Sequence, residues 1–329
     1  MAKTFSPALL GLTAELAMTT RWGSTGDDMI TGTAQDDTII GLSGSDTLDG
    51  GAGNDRIYGD DIAYSSNRPQ GATFNDVLKG GIGNDSLFGG WGNDTLHGGN
   101  DDDFLSGDQG ADQLHGGGGR DTIDYEVSAG VTINLGNGTA SGGDAEGDIF
   151  TSIENVNGSI NSDALTGDLY DNRLWGREGN DTLKGAGGND TLIGGLGKDV
   201  LVGGAGQDIL TGDQPSITGK GADTFIFRSI TDSTLTAMDT ITDFHRWSST
   251  VTARDMIDLT EIDANPYRQG NNSFSFIGNR EFTDTRGELR YYHHGADTII
   301  EGDVTGDSVG DFAIRLMGHH DMVGSDFVL

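Results

Sequence analysis

The chain of 329 residues contains no cysteine, so neither a disulfide nor a thiolate metal site holds it together. Cationic residues are scarce as well: 19 lysines and arginines stand against 52 aspartates and glutamates, a net charge of −33. That balance argues against nucleic acid or an anionic membrane as partner and favours bound cations. Hydrophobic residues make up only 34% of the chain, and no apolar run approaches the ~20 residues of a membrane span. The opening MAKTFSPALLGLTAELAMTT has one lysine, a broken apolar stretch containing Glu15 and no clear cleavage site, so it does not read as a signal peptide. Low hydrophobicity with high charge is also the mark of disorder, and pattern has to decide against it.

The pattern is carried by glycine, which supplies 56 residues. Residues 80–88 read GGIGNDSLF and residues 89–97 read GGWGNDTLH. A frame with Gly at position 1, Asp at 6 and Ile or Leu at 8 begins at Gly23, Gly32, Gly41 and Gly50. After a slip in phase it resumes at Gly71, Gly80, Gly89, Gly98, Gly107 and Gly116, and a third run starts at Gly158, Gly167, Gly176, Gly185, Gly194 and Gly203. Position 8 is aliphatic throughout, from Ile30 to Leu210, and position 6 is Asp everywhere except Asn172. A disordered chain would not hold one aliphatic column in register.

Each column has a physical reading. Glycines at positions 1, 2 and 4 allow positive φ and close backbone approach, so the first six residues form a turn. The last three, such as Ser86-Leu87-Phe88, form a short strand with the aliphatic side chain pointing inward. Two units close a coil of 18 residues with a strand on each side, and stacked coils bury a thin aliphatic core. The expected fold is therefore all-β, a right-handed parallel β-roll. Stacking sets Asp85 over Asp103 and Asp28 over Asp46. At a strand spacing of ~4.8 Å such carboxylates repel by roughly 1 kcal/mol even in water. A divalent cation between turns turns that repulsion into attraction, and carboxylates with turn carbonyls make the all-oxygen shell that suits Ca²⁺.

The nine-residue phrase resembles the RTX (hemolysin-type) calcium-binding repeat, G-G-x-G-x-D-x-U-x, met strictly at Gly50, Gly80, Gly89, Gly116, Gly194 and Gly203. The resemblance implies a calcium-filled roll in a secreted protein exported by a type I ABC transporter. Its implied side-chain ligands are Asp28, Asp46, Asp55, Asp76, Asp85, Asp94, Asp103, Asp112, Asp121, Asp163, Asp181, Asp190, Asp199 and Asp208, with Asp223 beyond the last full repeat. Some windows depart from it: Asn172 lacks charge, Asp101 replaces a turn glycine, and Gln35-Asp36 replaces the turn tip before Asp37.

On this reading residues 1–22 precede a roll over 23–218, which is interrupted at 59–70 and 125–157. The first interruption is a polar excursion loop; the second alternates at Val131, Ile133 and Leu135 and continues the roll with less calcium. Its Asp148 and Glu154 are weighed as a catalytic pair and read instead as solvated or calcium-bound. Residues 219–329 resemble the β-rich C-terminal module of serralysin-type metalloproteases through GADTF at 221–225, DTITDF at 239–244 and IDL at 257–259. That resemblance implies a cap, a further cation site at Asp303, Asp307 and Asp311, and a secretion address ending in Asp326-Phe327-Val328-Leu329.

Catalytic motifs are missing: there is no H-E-x-x-H zinc helix and no G-x-S-x-G nucleophile elbow. The seven histidines, His245 among them, read as surface residues. The expectation is a non-catalytic extracellular calcium-binding protein that folds on Ca²⁺. Its surface acts as a binding or structural module toward a polysaccharide or cell envelope, as a self-assembling surface-layer component, or as an accessory to a polysaccharide-modifying or protease system.

Overall fold

The computed structural model describes residues 19–60, 74–213, 221–246 and 254–329. The expected N-terminal segment up to residue 18 and the excursion loop from residue 61 onward lie outside the described residues. Successive windows alternate between two faces of a parallel β-roll. One face is a continuous sheet of 15 strands from Thr19–Trp22 to the C-terminal region, while the opposite face is divided into sheets of six and eight strands. Register confirms the 18-residue coil: Leu78 pairs with Leu96 and Leu96 with Leu114, while Leu87 pairs with Leu105.

The strands are longer than the three residues expected. Val77–Ile82, Ser86–Trp91 and Thr95–Asn100 each run for six, because the glycines opening the next window still pair with the coil above, as Gly81 does with Gly99. Position 8 supplies the core. Leu48, Leu78, Leu87, Leu96, Leu105, Leu114, Leu174, Leu192 and Leu210 are fully buried in one continuous cluster. A single inward side chain per strand suffices because two strands facing each other across each coil close the interior.

The interruption at 125–157 explains why one face divides. Ile149–Thr151 pairs with Gln113–Gly118 and ends the six-stranded sheet. Thr132–Asn134 starts the next sheet against Ala164–Thr166, and Thr139–Ser141 folds back antiparallel to cover its edge. Asn155–Asn157 stays in the continuous sheet, between Thr122–Asp124 and Arg173–Glu178. Three strands thus carry the roll through the insertion, with one antiparallel addition.

Coil geometry runs past residue 218. Thr224–Ile226, Asp239–Ile241 and Met256–Asp258 stack in parallel on the preceding coils. The roll then meets an antiparallel meander of Glu288–His294, Asp297–Asp303 and Phe312–Leu316, whose last strand joins Asp239–Ile241 in parallel. Phe327–Val328 completes the other face against Met256–Asp258. Among the described residues no helix is long and apolar enough to cross a membrane.

Candidate metal centre

The position-6 aspartates form ladders through the turns. In each, one carboxylate oxygen accepts the backbone N–H of the aspartate one coil earlier. Asp76 N–H donates to Asp94 Oδ1 (2.7 Å), Asp94 N–H to Asp112 (2.8 Å), and Asp85 N–H to Asp103 (2.8 Å). The series Asp163, Asp181, Asp199 and Asp223 repeats the arrangement. These side chains are buried, Asp94 at 1% exposure and Asp112 at 0%. A ladder of neutral donors onto charged acceptors satisfies one oxygen of each residue and leaves the other.

The second oxygen, Oδ2, divides the windows into two kinds. In Asp46, Asp55, Asp76, Asp85, Asp94, Asp103, Asp112, Asp121, Asp181, Asp190, Asp199, Asp208 and Asp223 it is buried and accepts no hydrogen bond. Leaving a buried carboxylate oxygen unsatisfied is costly unless a further group completes it. Position 1 shows where such a group fits. A Cβ added at Gly80 would lie 2.2 Å from Asp85 Oδ2 and 2.6 Å from the Gly98 carbonyl oxygen, so both oxygens border one small cradle that only glycine leaves open. The cradle recurs at Gly41, Gly89, Gly98, Gly176, Gly185 and Gly194 with their own aspartates and the next coil's carbonyls. Carboxylate and carbonyl oxygens alone form the donor set, and that fits Ca²⁺.

The other windows are closed from within. Where position 2 is Ser or Thr, its backbone N–H caps the aspartate: Ser24 donates to Asp28 Oδ2 at 2.6 Å, Thr33 to Asp37 Oδ2 at 2.6 Å and Ser159 to Asp163 Oδ2 at 2.6 Å. Each hydroxyl adds a second hydrogen bond to the same carboxylate. Asp163, expected as a ligand, thus has both oxygens engaged, and Asp28, also expected as one, has its Oδ2 engaged twice. In the C-terminal loop Asp303 accepts the N–H groups of Gly306 and Ser308, Asp311 accepts those of Val304 and Thr305, and Asp307 accepts that of Val309. The loop folds on its own carboxylates rather than gathering the three: among the described residues they do not form a group whose ligand atoms lie within 4.8 Å of one another.

Four ladder members escape the repeat frame. Asp148 and Glu154 accept the N–H groups of Asp112 and Asp121, so the pair weighed for catalysis extends the two ladders. Asp148 is closed by Tyr125, whose hydroxyl donates to its other oxygen at 2.9 Å. Asp239 and Asp255 accept from Asp208 and Asp223. All four share a signal that could have found them: an acid two residues before an inward apolar side chain, as in Asp148-Ile149-Phe150 and Asp239-Thr240-Ile241.

Burial and neighbouring carboxylates raise the ladder carboxyls. Asp94 is pushed up to about 9, by burial first and then by the charges of Asp112 and Asp76, against the hydrogen bond from Asp76 N–H. Asp112, Asp181 and Asp223 rise to about 8, and Asp76, Asp85, Asp103 and Asp190 to about 7, again chiefly through burial. Asp37 goes the other way: burial would raise it, but hydrogen bonds from Thr19 and Thr33 and the charge of Arg21 outweigh burial and lower it. The open carboxylates are thus the ones that most need a positive partner to ionise.

The model of the RTX calcium-binding nonapeptide repeat matches residues 22–57, 70–105, 97–126, 157–192 and 184–214. No curated protein matches the chain. Among solved structures, the AlgE6R2 subunit of the Azotobacter vinelandii mannuronan C5-epimerase is 26% identical, with 52% of this chain and 90% of that one covered at a TM-score of 0.30. The extracellular lipase LipA of Serratia marcescens is 17% identical, with 93% of this chain and 40% of the lipase covered at a TM-score of 0.21. The stacked turns, the buried Oδ2 rows and the matched segments agree: the chain carries RTX calcium-binding nonapeptide repeats between residues 22 and 214.

Proposed function

We propose that the protein is exported unfolded by a type I ABC transporter, folds on Ca²⁺ outside the cell and acts there as a non-catalytic binding or structural protein. The observation that carries this reading is the double row of buried, unpaired Oδ2 atoms beside glycine carbonyls. Without a cation those rows oppose folding; with one they link successive coils, so metal binding and folding are coupled. A cytosol poor in calcium keeps the chain transportable, and the calcium outside stabilises each coil as it emerges. Residues 279–329 are the proposed address, and the antiparallel meander within them gives the last coils a surface on which to stack.

One observation favours action on a polysaccharide. On the outer face of the continuous sheet Tyr58 and Phe88 stack at 4.9 Å, with Phe104 5.8 Å from Phe88. Phe88 and Phe104 line a pocket of about 340 Å³ together with Arg56, Asp108 and Asp124. Aromatic faces bordered by hydrogen-bonding charged groups suit a sugar ring, apolar on its faces and polar at its rim.

The test of the proposed function is far-UV circular dichroism of the full chain during a calcium titration from excess chelator. The expected result is a cooperative gain of β signal with calcium. A complete β signal in chelator would overturn the reading.

A further inference from the structure

A second kind of donor set lies where the roll joins the C-terminal strands. Asp213 ends the strand Ile209–Asp213, and Asp243 and His245 follow the neighbouring strand Asp239–Ile241. Among the described residues these three are the one group of His, Asp or Glu whose ligand atoms all lie within 4.8 Å of one another. Pairing of the two strands brings them together across about thirty residues of sequence.

The surroundings hold the two carboxylates in place and leave lone pairs on both. Asp243 accepts the N–H groups of Gly212 (2.9 Å) and Asp213 (2.7 Å), one on each oxygen, which leaves lone pairs on both. Asp213 is 2% exposed; its Oδ1 accepts the Gly221 N–H at 2.8 Å. Its Oδ2 is buried, accepts no hydrogen bond and lies 3.4 Å from His245 Nδ1. Asp255 Oδ2 accepts the backbone N–H of His245 at 2.6 Å and lies 3.5 Å from Nδ1, the ring nitrogen that also faces Asp213. The nearest cation in sequence, Arg246, is bound to Asp326. Three carboxylates therefore surround one imidazole, and an oxygen of one of them is buried and unsatisfied.

We propose that Asp213, Asp243 and His245 bind a divalent transition cation of the zinc class, separate from the calcium rows. The nitrogen donor makes the distinction: imidazole with carboxylate oxygens suits zinc, cobalt or nickel, whereas Ca²⁺ takes oxygen alone. Bound there, the ion ties the last full repeat to the coil that carries the C-terminal strands. Asp255 is a positioning residue that holds the backbone at His245.

Cobalt(II) is the probe, added to the full-length protein in saturating calcium so that folding of the roll and occupancy of this site are read separately. The expected result is one tightly held equivalent with a visible ligand-field band, displaced by zinc but not by further calcium. His245→Ala and Asp213→Asn each weaken cobalt binding by at least about tenfold, while the calcium-induced circular dichroism of His245→Ala is unchanged and His293→Ala binds cobalt as the unmodified chain does. A cobalt K-edge spectrum of the unmodified protein, which depends on no variant folding, shows an imidazole in the first coordination shell. Absence of tight cobalt binding in calcium, equal binding by His245→Ala, displacement by calcium, or a spectrum with oxygen ligands alone would each overturn the proposal. In the last two cases the cluster would be a calcium site, and in the first an ion pair of protonated His245.

Discussion

Protons should substitute in part for calcium, and the ladder carboxyls set the direction. A carboxyl whose folded value is raised gives its full stabilisation below its unfolded value, 3.8, and loses it as pH rises through the folded value. For Asp85, raised to about 7, the loss above that pH amounts to about 4 kcal/mol in the metal-free roll. Asp76 and Asp103 rise equally, and Asp94 further still. One such loss is already a large part of the margin of about 5–15 kcal/mol typical of a domain. Chain stripped of calcium on chelating resin should therefore lack most of its β signal at about pH 8.5 and gain it on acidification to about pH 5.5, above the region of precipitation near the isoelectric point. Saturating calcium, by stabilising the charged carboxylates, should flatten the dependence over the same interval. Circular dichroism with sedimentation velocity measures both secondary structure and compactness. A metal-free chain fully folded at the upper pH, or one that gains structure as pH rises, would refute the reasoning.

Three substitutions test the division between open and closed windows and the backbone of the turn. Asp94→Asn removes a carboxylate whose Oδ2 faces the cradle at Gly89 and should weaken calcium binding by about 1.5–3 kcal/mol. Asp163→Asn, whose carboxylate is held by Ser159, should leave affinity nearly unchanged, and calorimetry giving equal losses would contradict the distinction. Ala186 holds a turn position at φ +80, in the left-handed region, so Ala186→Gly should stabilise the calcium-loaded protein by about 0.5–1 kcal/mol, the relief of strain less the entropy of glycine, and a lower melting temperature would speak against it.

Much of the roll was legible because its period is rigid. Leu78, Leu96 and Leu114 must stack if Gly80, Gly98 and Gly116 do, and the structure pairs the leucines in that register. The stacking of the aspartates was legible for the same reason, down to Asp85 over Asp103, whereas the hydrogen bond from each N–H to the next carboxylate was not. Less legible was which aspartates remain open, since that turns on a hydroxyl at position 2. Ser24, Thr33 and Ser159 stand where the strict repeat has its second glycine, and each caps its own carboxylate. Asp239 and Asp255 went unrecognised because long connections break the nine-residue count, although the apolar residue two positions on, Ile241 or Ile257, is buried as in any repeat. The acidic loop at Asp303, Asp307 and Asp311 resembled a cation site, but the fold turns each carboxylate to N–H groups of its own loop and does not gather the three. His245 could not be read as a partner of Asp213, because only strand pairing brings them together.

The most direct test of the central claim is anomalous diffraction from crystals grown in calcium, which locates each ion independently of any assumed ligand. The account predicts ions beside Asp85, Asp94, Asp103, Asp112, Asp181, Asp190 and Asp199, each in contact with an Oδ2 and a glycine carbonyl, and none at Asp28, Asp37 or Asp163. Ions at the serine- and threonine-capped windows, or Oδ2 rows without calcium in a folded roll, would contradict it.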